Sequence, residues 1–466
     1  RLTALIEAQQ LAVDPASNRN VPAITSDLAQ LGKLLFFSSH LSGDEDVACV
    51  SCHHPTLGGA DNLSLSVGVN AVNDQNLSAP SLLGPGRHSE IAGNFPVVPR
   101  NAPTTFNSSL WDRGMFWDSR VESLQPARNL NGSAGAISTP DSLTANSADT
   151  NLPPGITLPD AQARFPVTSV AEMRDVFLPD ADNQTLRQSL AGRFGPEWAP
   201  MFTAAFGDPD ISFDRIAEAI AAYERSQTFT GSPWQQYVQG DIDALTDQQK
   251  TGAELFLTPV NEGGAGCNRC HSGSRFTDEQ HHIVAFPQIS DDRGRENVTG
   301  DTRDRYLFRT PSLLNITESA PYGHAGLYAD LEAVVRHYVN PGNSVRDLYG
   351  VVNDLAFANR AEVCDLPQIQ LAITASGASC EALLADGWLH SSSALDRLAT
   401  PGVRGGLGPT PRLNNAETAA LVAFLEALTD PCTEDRACLD PWIVDADDDY
   451  PDDSAIIGTA ASGGSL

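Results

Sequence analysis

Methionine is nearly absent from the 466-residue chain, which has Met115, Met173 and Met201 and none beyond them. The second half therefore has no thioether side chain to offer a metal. Basic residues are scarce too, 29 Lys and Arg against 59 Asp and Glu, a formal net charge of −30. Such a chain repels a phosphate backbone, which argues against nucleic acid as a partner. It attracts basic partners, small electron-transfer proteins among them, although solubility alone would also account for the charge. No run approaches the ~18 consecutive apolar residues of a membrane span. Residues 1–10 lack the basic patch and apolar core of a signal peptide and read as the start of a mature chain. No strand pattern dominates, and no βαβ setting is present for a thioredoxin-like dithiol. The length and a hydrophobic content of 41% are ample for two or three domains.

The eight cysteines sort by spacing. Cys49-Val-Ser-Cys52-His53 and Cys267-Asn-Arg-Cys270-His271 are both CxxCH motifs. This is the attachment signal of c-type haem: two thiols add across the porphyrin vinyl groups, and the adjoining His reaches the iron as an axial ligand. A zinc ribbon would keep its two CxxC pairs close, whereas these lie more than 200 residues apart. Two covalently bound haem c groups are expected. Of the other four cysteines, Cys432 and Cys438 can close a small loop, and Cys364 and Cys380 flank one irregular segment. Two local disulfides are the simplest assignment, with the connectivity left open, and they imply an oxidising compartment, periplasmic or extracellular.

Each motif follows a helix. Leu28, Leu31, Leu34 and Leu35 recur at helical spacing behind Ser26 or Asp27, and Thr246 with Gln249 forms a capping box ahead of Ala253, Leu255 and Phe256. The expected fold is mainly α, with two c-type cytochrome-like haem domains and long irregular loops. Residues 1–25 form an N-terminal arm, 26–235 the first haem domain with a surface insertion at 128–163, and 236–430 the second with an irregular insertion at 355–410. Phe213–Arg225 returns to helix, and the last helix starts at Asn414 with Leu421, Val422, Phe424, Leu425 and Leu428 as its buried stripe. Residues 431–466 read as a solvated acidic tail, because the run Asp447–Asp449 lacks the Gly turn and closing Glu of a calcium loop.

In sequence order, several blocks resemble the bacterial dihaem cytochrome c peroxidase and MauG family: Leu31-Gly-Lys-Leu-Leu-Phe-Phe37, Leu41-Ser-Gly43, the first haem motif, Arg100-Asn-Ala-Pro-Thr104 and Phe116-Trp-Asp-Ser-Arg120. After the second motif come Phe308-Arg-Thr-Pro-Ser-Leu313, Ala320-Pro-Tyr-Gly-His-Ala-Gly326 and Leu331-Glu-Ala-Val-Val335. The resemblance implies that the first haem meets hydrogen peroxide, with His53 as its proximal ligand, and that the second handles electrons through His271 and a further protein ligand. It aligns Val69 with the His that closes the first haem in the family's peroxidases, so an open site is expected, with His88 as another possible ligand. It implies Glu172, in Pro166-Val-Thr-Ser-Val-Ala-Glu-Met173, as the acid–base group that moves the peroxide proton. Gln125 lies near the position of a family glutamine but out of register, and Trp117 matches the tryptophan between the haems, with Ser119 in place of the usual Gly. A calcium ion is implied at Asn101 and at the main-chain carbonyls of Ser319 and Pro321.

The second ligand on the second haem decides the branch. The family's peroxidases use Met there, and the alignment places Tyr338 at that position, as in MauG-like members. His337 is adjacent, but neighbouring helix residues point about 100° apart, so one of them faces the iron. A tyrosinate favours ferric and higher states. The expected chemistry is MauG-like: peroxide oxidises the pair of haems to a high-valent state, and a tryptophan on a partner protein is oxidised in turn. Two alternatives stand beside it: a cytochrome c peroxidase fed by a small cytochrome, and a non-enzymatic electron-transfer cytochrome closed by a ligand such as His88.

Overall fold

A computed structural model of the chain describes residues 1–72, 78–89 and 98–466. Two helix pairs organise it. Asp27–Phe37 crosses Phe213–Ser226, and Asp247–Leu257 crosses Asn415–Glu426. The local reasons match in the two pairs. Ser26 and Thr246 cap the first helix of each by accepting hydrogen bonds from the Ala29 and Gln249 amides, and Asn414 with Glu417 closes a capping box on the last helix.

Both crossings are made by a glycine. A Cβ on Gly32 would lie 1.9 Å from the Ala219 carbonyl oxygen and 2.9 Å from Tyr223 Cβ. A Cβ on Gly252 would lie 1.9 Å from the Ala420 carbonyl oxygen and 2.8 Å from Phe424 Cβ. The chain thus repeats one unit: a glycine helix, a CxxCH motif, and a helix whose aromatic residue covers the glycine. The mainly helical fold is as the sequence indicates. Strands are short antiparallel pairs: Ala71–Val72 with His88–Ser89, His281–His282 with Phe308–Arg309, and a three-stranded piece built from Gly114–Met115, Val121–Ser123 and Ile137–Ser138.

Several loop expectations change. The 128–163 segment supplies the Ile137–Ser138 strand and the Leu158–Gln162 helix, and Leu158 and Ala161 are fully buried against Trp111 and Val121. The 355–410 segment contains the helices Pro367–Ser376 and Cys380–Leu398, with a disulfide joining Cys364 to Cys380. The acidic tail is not simply solvated. After the Cys432–Cys438 disulfide, Ile443, Val444 and Ile456 enter the first unit's core beside Leu31 and Leu35. Burial of these three outweighs the charge around them, which stays outside: each apolar side chain is worth about 1.5–3 kcal/mol when withdrawn from water. The N-terminal arm does the converse. Its helix Leu2–Ala8 packs Leu2 and Ile6 into the second unit's core.

Adding a methyl at either crossing glycine tests this repeat. The helix gains ~1 kcal/mol of intrinsic propensity, but overpacking costs about 1–3 kcal/mol, and an overlap at 1.9 Å belongs at the upper end. Gly32→Ala and Gly252→Ala should each lower the denaturant midpoint, and an unchanged or raised midpoint would contradict the crossing.

Candidate active site

An apolar cavity of about 880 Å³ runs between the two units and is lined by both CxxCH motifs. Cys49, Cys52, Cys267 and Cys270 are all free thiols, so neither motif is closed as a disulfide. The two histidines are held alike. His53 Nδ1 is 3.0 Å from the Gly59 carbonyl oxygen, and His271 Nδ1 is 3.0 Å from that of Phe276. An N–H placed there fixes the tautomer and leaves Nε2 for an axial bond. Burial lowers both pKa values, which keeps the rings neutral as a metal bond requires. Apolar walls, paired thiols and oriented imidazoles fit two covalently bound haems.

His337 and Tyr338 part company. His337 is fully buried, with Nδ1 2.8 Å from the Tyr328 hydroxyl and Nε2 2.7 Å from the Val284 carbonyl oxygen. Both of its nitrogens are occupied by protein and it does not line the cavity. Tyr338, one residue on in the helix Leu331–Val339, lines the cavity with Cys267 and Cys270, and Phe286 packs edge-on against it at 5.8 Å. Of the two, Tyr338 is placed to reach a metal.

At the first motif, Glu172 lines the cavity from a π-helical turn, Val170–Arg174, an irregularity frequent at functional sites. Burial pushes its carboxyl above the ordinary range, Arg120 and then Arg100 pull it down, and Asp118 adds to the rise. The Arg120 guanidinium is 3.9 Å from Glu172 Oε1 and lies 3.5 Å over the Phe116 ring. A tight contact sets the turn: a Cβ on Gly68 would lie 2.2 Å from the Ala171 carbonyl oxygen and 2.8 Å from Glu172 Cα. Arg87, 1% exposed, fixes the Gly68 segment by donating to the carbonyls of Val67, Gly68, Pro80 and Leu82. Sequence reading missed Arg87, Gly68 and Arg120's place beside Glu172. The run Phe116–Arg120 held Arg120 in view, but its neighbour comes from a segment some fifty residues away.

The other expected residues divide. Trp117 lines the cavity between the motifs, its indole N–H donating to the Asn101 carbonyl oxygen at 3.0 Å. It sits in a turn closed by the Met115–Val121 pair, where Ser119 has φ +52°, a conformation that explains glycine as the family's usual residue. Asn101, Ser319 and Pro321 line the same cavity, and Asn101 Nδ2 donates to the Leu63 carbonyl oxygen, leaving Oδ1 as a donor atom for an ion. Gln125 does not belong: it is exposed, outside the cavity lining, and packs towards Gly135, because the strand Val121–Ser123 carries it past the site. His88 is paired with Val72 in a strand, and Val69 is buried in the first core; neither lines the cavity.

Comparison with known proteins follows the same lines. A family model described as di-haem cytochrome c peroxidase matches residues 26–243. Cytochrome c551 peroxidase of Pseudomonas aeruginosa is 30% identical over 322 residues, covering 67% of this chain and 71% of that protein. Methylamine utilization protein MauG of Methylorubrum extorquens is 29% identical over 322 residues, covering 68% and 70%. Among solved structures, a MauG-like protein associated with microbial copper homeostasis superposes with a TM-score of 0.57 at 23% identity, covering 91% of this chain and 98% of that one, a likeness of fold.

Gly68→Ala should displace the Glu172 turn while leaving haem attachment intact. The expected result is normal haem content by absorbance with a slower peroxide reaction. A variant that reacts at the parent rate would remove Gly68 from the site's support.

Proposed function

The chain belongs to the di-haem cytochrome c peroxidase and MauG family and is a peroxide-using oxidoreductase, and from that premise we propose that it works as a MauG-like oxidase of a protein partner. Tyr338 carries this reading. The second unit has no methionine, His337 is tied to Tyr328 and Val284, and Tyr338 lies on the cavity wall, where its hydroxyl would serve as the second protein ligand of a bound haem. A phenolate oxygen is a hard anionic donor and favours ferric over ferrous iron.

In this reading Cys49, Cys52 and His53 would hold the first haem, and Cys267, Cys270, His271 and Tyr338 the second. When bound, the haems supply the iron at which peroxide is reduced and the store for the two oxidising equivalents. The chain's residues do the rest. Glu172, as carboxylate, accepts a proton from one oxygen of hydrogen peroxide and, as the acid, returns it to the other, which leaves as water. Arg120 at 3.9 Å holds the carboxylate and faces the negative charge that develops. Trp117, anchored on Asn101, bridges the two units as an electron relay. Two electrons are drawn from a protein substrate bearing an oxidisable tryptophan, and two protons complete the second water. Asn101 Oδ1 with the Ser319 and Pro321 carbonyls would bind calcium beside Trp117, since hard oxygen donors suit that ion. Two disulfides and c-type attachment suit a periplasmic or extracellular setting.

A second reading, peroxide reduction with electrons from a small cytochrome, is favoured by the charge of −30, which draws a basic donor. Stopped-flow mixing of the diferric protein with peroxide separates the two. An oxidised state that persists in the presence of reduced small cytochrome c supports partner-tryptophan oxidation. Rapid catalytic oxidation of that cytochrome, without prior reduction of the enzyme, supports the peroxidase.

Two variants test the residues. Glu172→Gln should slow the peroxide reaction by about 10²–10⁴-fold. Because the active form is the carboxylate and burial raises its pKa, the parent rate should fall as pH drops through that raised value. A flat profile matching that of Glu172→Gln would count against the role. Tyr338→Met should raise the second haem's reduction potential, read by spectroelectrochemistry. An unchanged potential would remove Tyr338 from the iron.

A further inference from the structure

Glu224 has no part in the chemistry above, yet it occupies a costly position. It lies on the helix Phe213–Ser226, 6% exposed, and lines the cavity beside Cys49 and Ile220. Among the described residues no group hydrogen-bonds or ion-pairs with its carboxyl. The charged and titratable groups around it offer no partner. Asp160, on the packed helix Leu158–Gln162, repels it. Tyr223 turns its hydroxyl to the Trp442 carbonyl, Arg225 donates to the Asn20 carbonyl and Arg164 pairs with Asp214. Cys49 becomes an uncharged thioether once haem is attached.

The internal repeat shows that the fold does not require an acid there. Tyr223 covers Gly32 as Phe424 covers Gly252, so Ile220 corresponds to Leu421 and Glu224 to Leu425. Leu421 and Leu425 line the cavity at the second motif as Ile220 and Glu224 do at the first. One unit presents two apolar side chains to its haem space, and the other presents one apolar side chain and one unpartnered carboxyl.

We propose that Glu224 is a redox-linked proton site of the first haem: it takes up one proton for each electron that enters there and releases it when the electron leaves. The inference rests on haem attachment at Cys49–His53. The electron comes from an external one-electron reductant and the proton from solvent, so net charge in the walled cavity stays constant through the cycle. Burial, with Asp160 adding to it, already holds this carboxyl at about 8, within reach of a change in charge next to it. The second unit, with Leu425, has no such group and serves as an internal control.

The experiment is potentiometric titration of the two-haem protein at a series of pH values, each haem followed by its own absorbance. The first haem's midpoint should fall as pH rises across a window around 8, approaching the 59 mV per pH unit of a one-electron, one-proton couple. The second should change less. Glu224→Gln, close to isosteric, and Glu224→Leu, which copies the second unit, should both flatten the first slope. Infrared difference spectra should show a protonated carboxyl signal gained on reduction of the parent and absent from Glu224→Gln. The proposal is overturned if Glu224→Gln keeps the parent slope, or if reduction leaves the carboxyl signal unchanged. Failure of the underlying reading is distinguishable, because the first haem's absorbance would then be missing altogether.

Discussion

The close crossing of two helices at a glycine is the constraint on which the rest depends. Where a helix carries no side chain at the crossing, the partner's backbone comes into direct contact with it, and the aromatic residue one turn on closes over the gap. This fixes the distance and angle between the helix that leads into a CxxCH motif and the helix that walls the haem space. Everything a haem would meet is then delivered at a set height: the thiols from the loop after the first helix, and Ile220 and Glu224, or Leu421 and Leu425, from the second.

With two such units, function depends on what is wedged between them. The turn Phe116–Arg120 belongs to the first unit by sequence but is held from the second. Arg309 donates to the carbonyls of Phe116 and Trp117, Arg295 to those of Asp118 and Ser119, and Arg100 joins Asp118 to Asp292. Charged pairs this buried contribute little net stability, because desolvation offsets attraction, but breaking one leaves an uncompensated charge. Their effect is positional. They hold Trp117 across the junction and Arg120 beside Glu172, so that the indole between the units and the guanidinium facing Glu172 share one turn.

Legibility in the sequence follows how local each requirement is. The CxxCH motifs declare themselves because two thiols and an imidazole must meet one ring. Tyr338 could be named by alignment, but rejection of His337 needed Tyr328 and Val284, contacts made across the fold. Gln125 is near the site only by its likeness, out of register, to a family glutamine, and a short strand carries it outward. The helix Cys380–Leu398 looks irregular in sequence because it buries Leu384, Gly387, Ser391 and Ala394, a mostly small face that sets no apolar period. The aspartates of the tail dominate its composition, but Ile443, Val444 and Ile456 decide where it lies. Glu224 looks like any acid on an amphipathic helix until it is set beside Leu425.

The two ends of the chain are exchanged: the first residues complete the second unit, and the last complete the first. During synthesis the haem motif of the first unit emerges well before Ile443, Val444 and Ile456, which complete its core. The second unit, already supplied with its N-terminal helix, can close sooner. The core of the first unit can therefore be sealed only after a segment that follows every helix of the second unit in the chain.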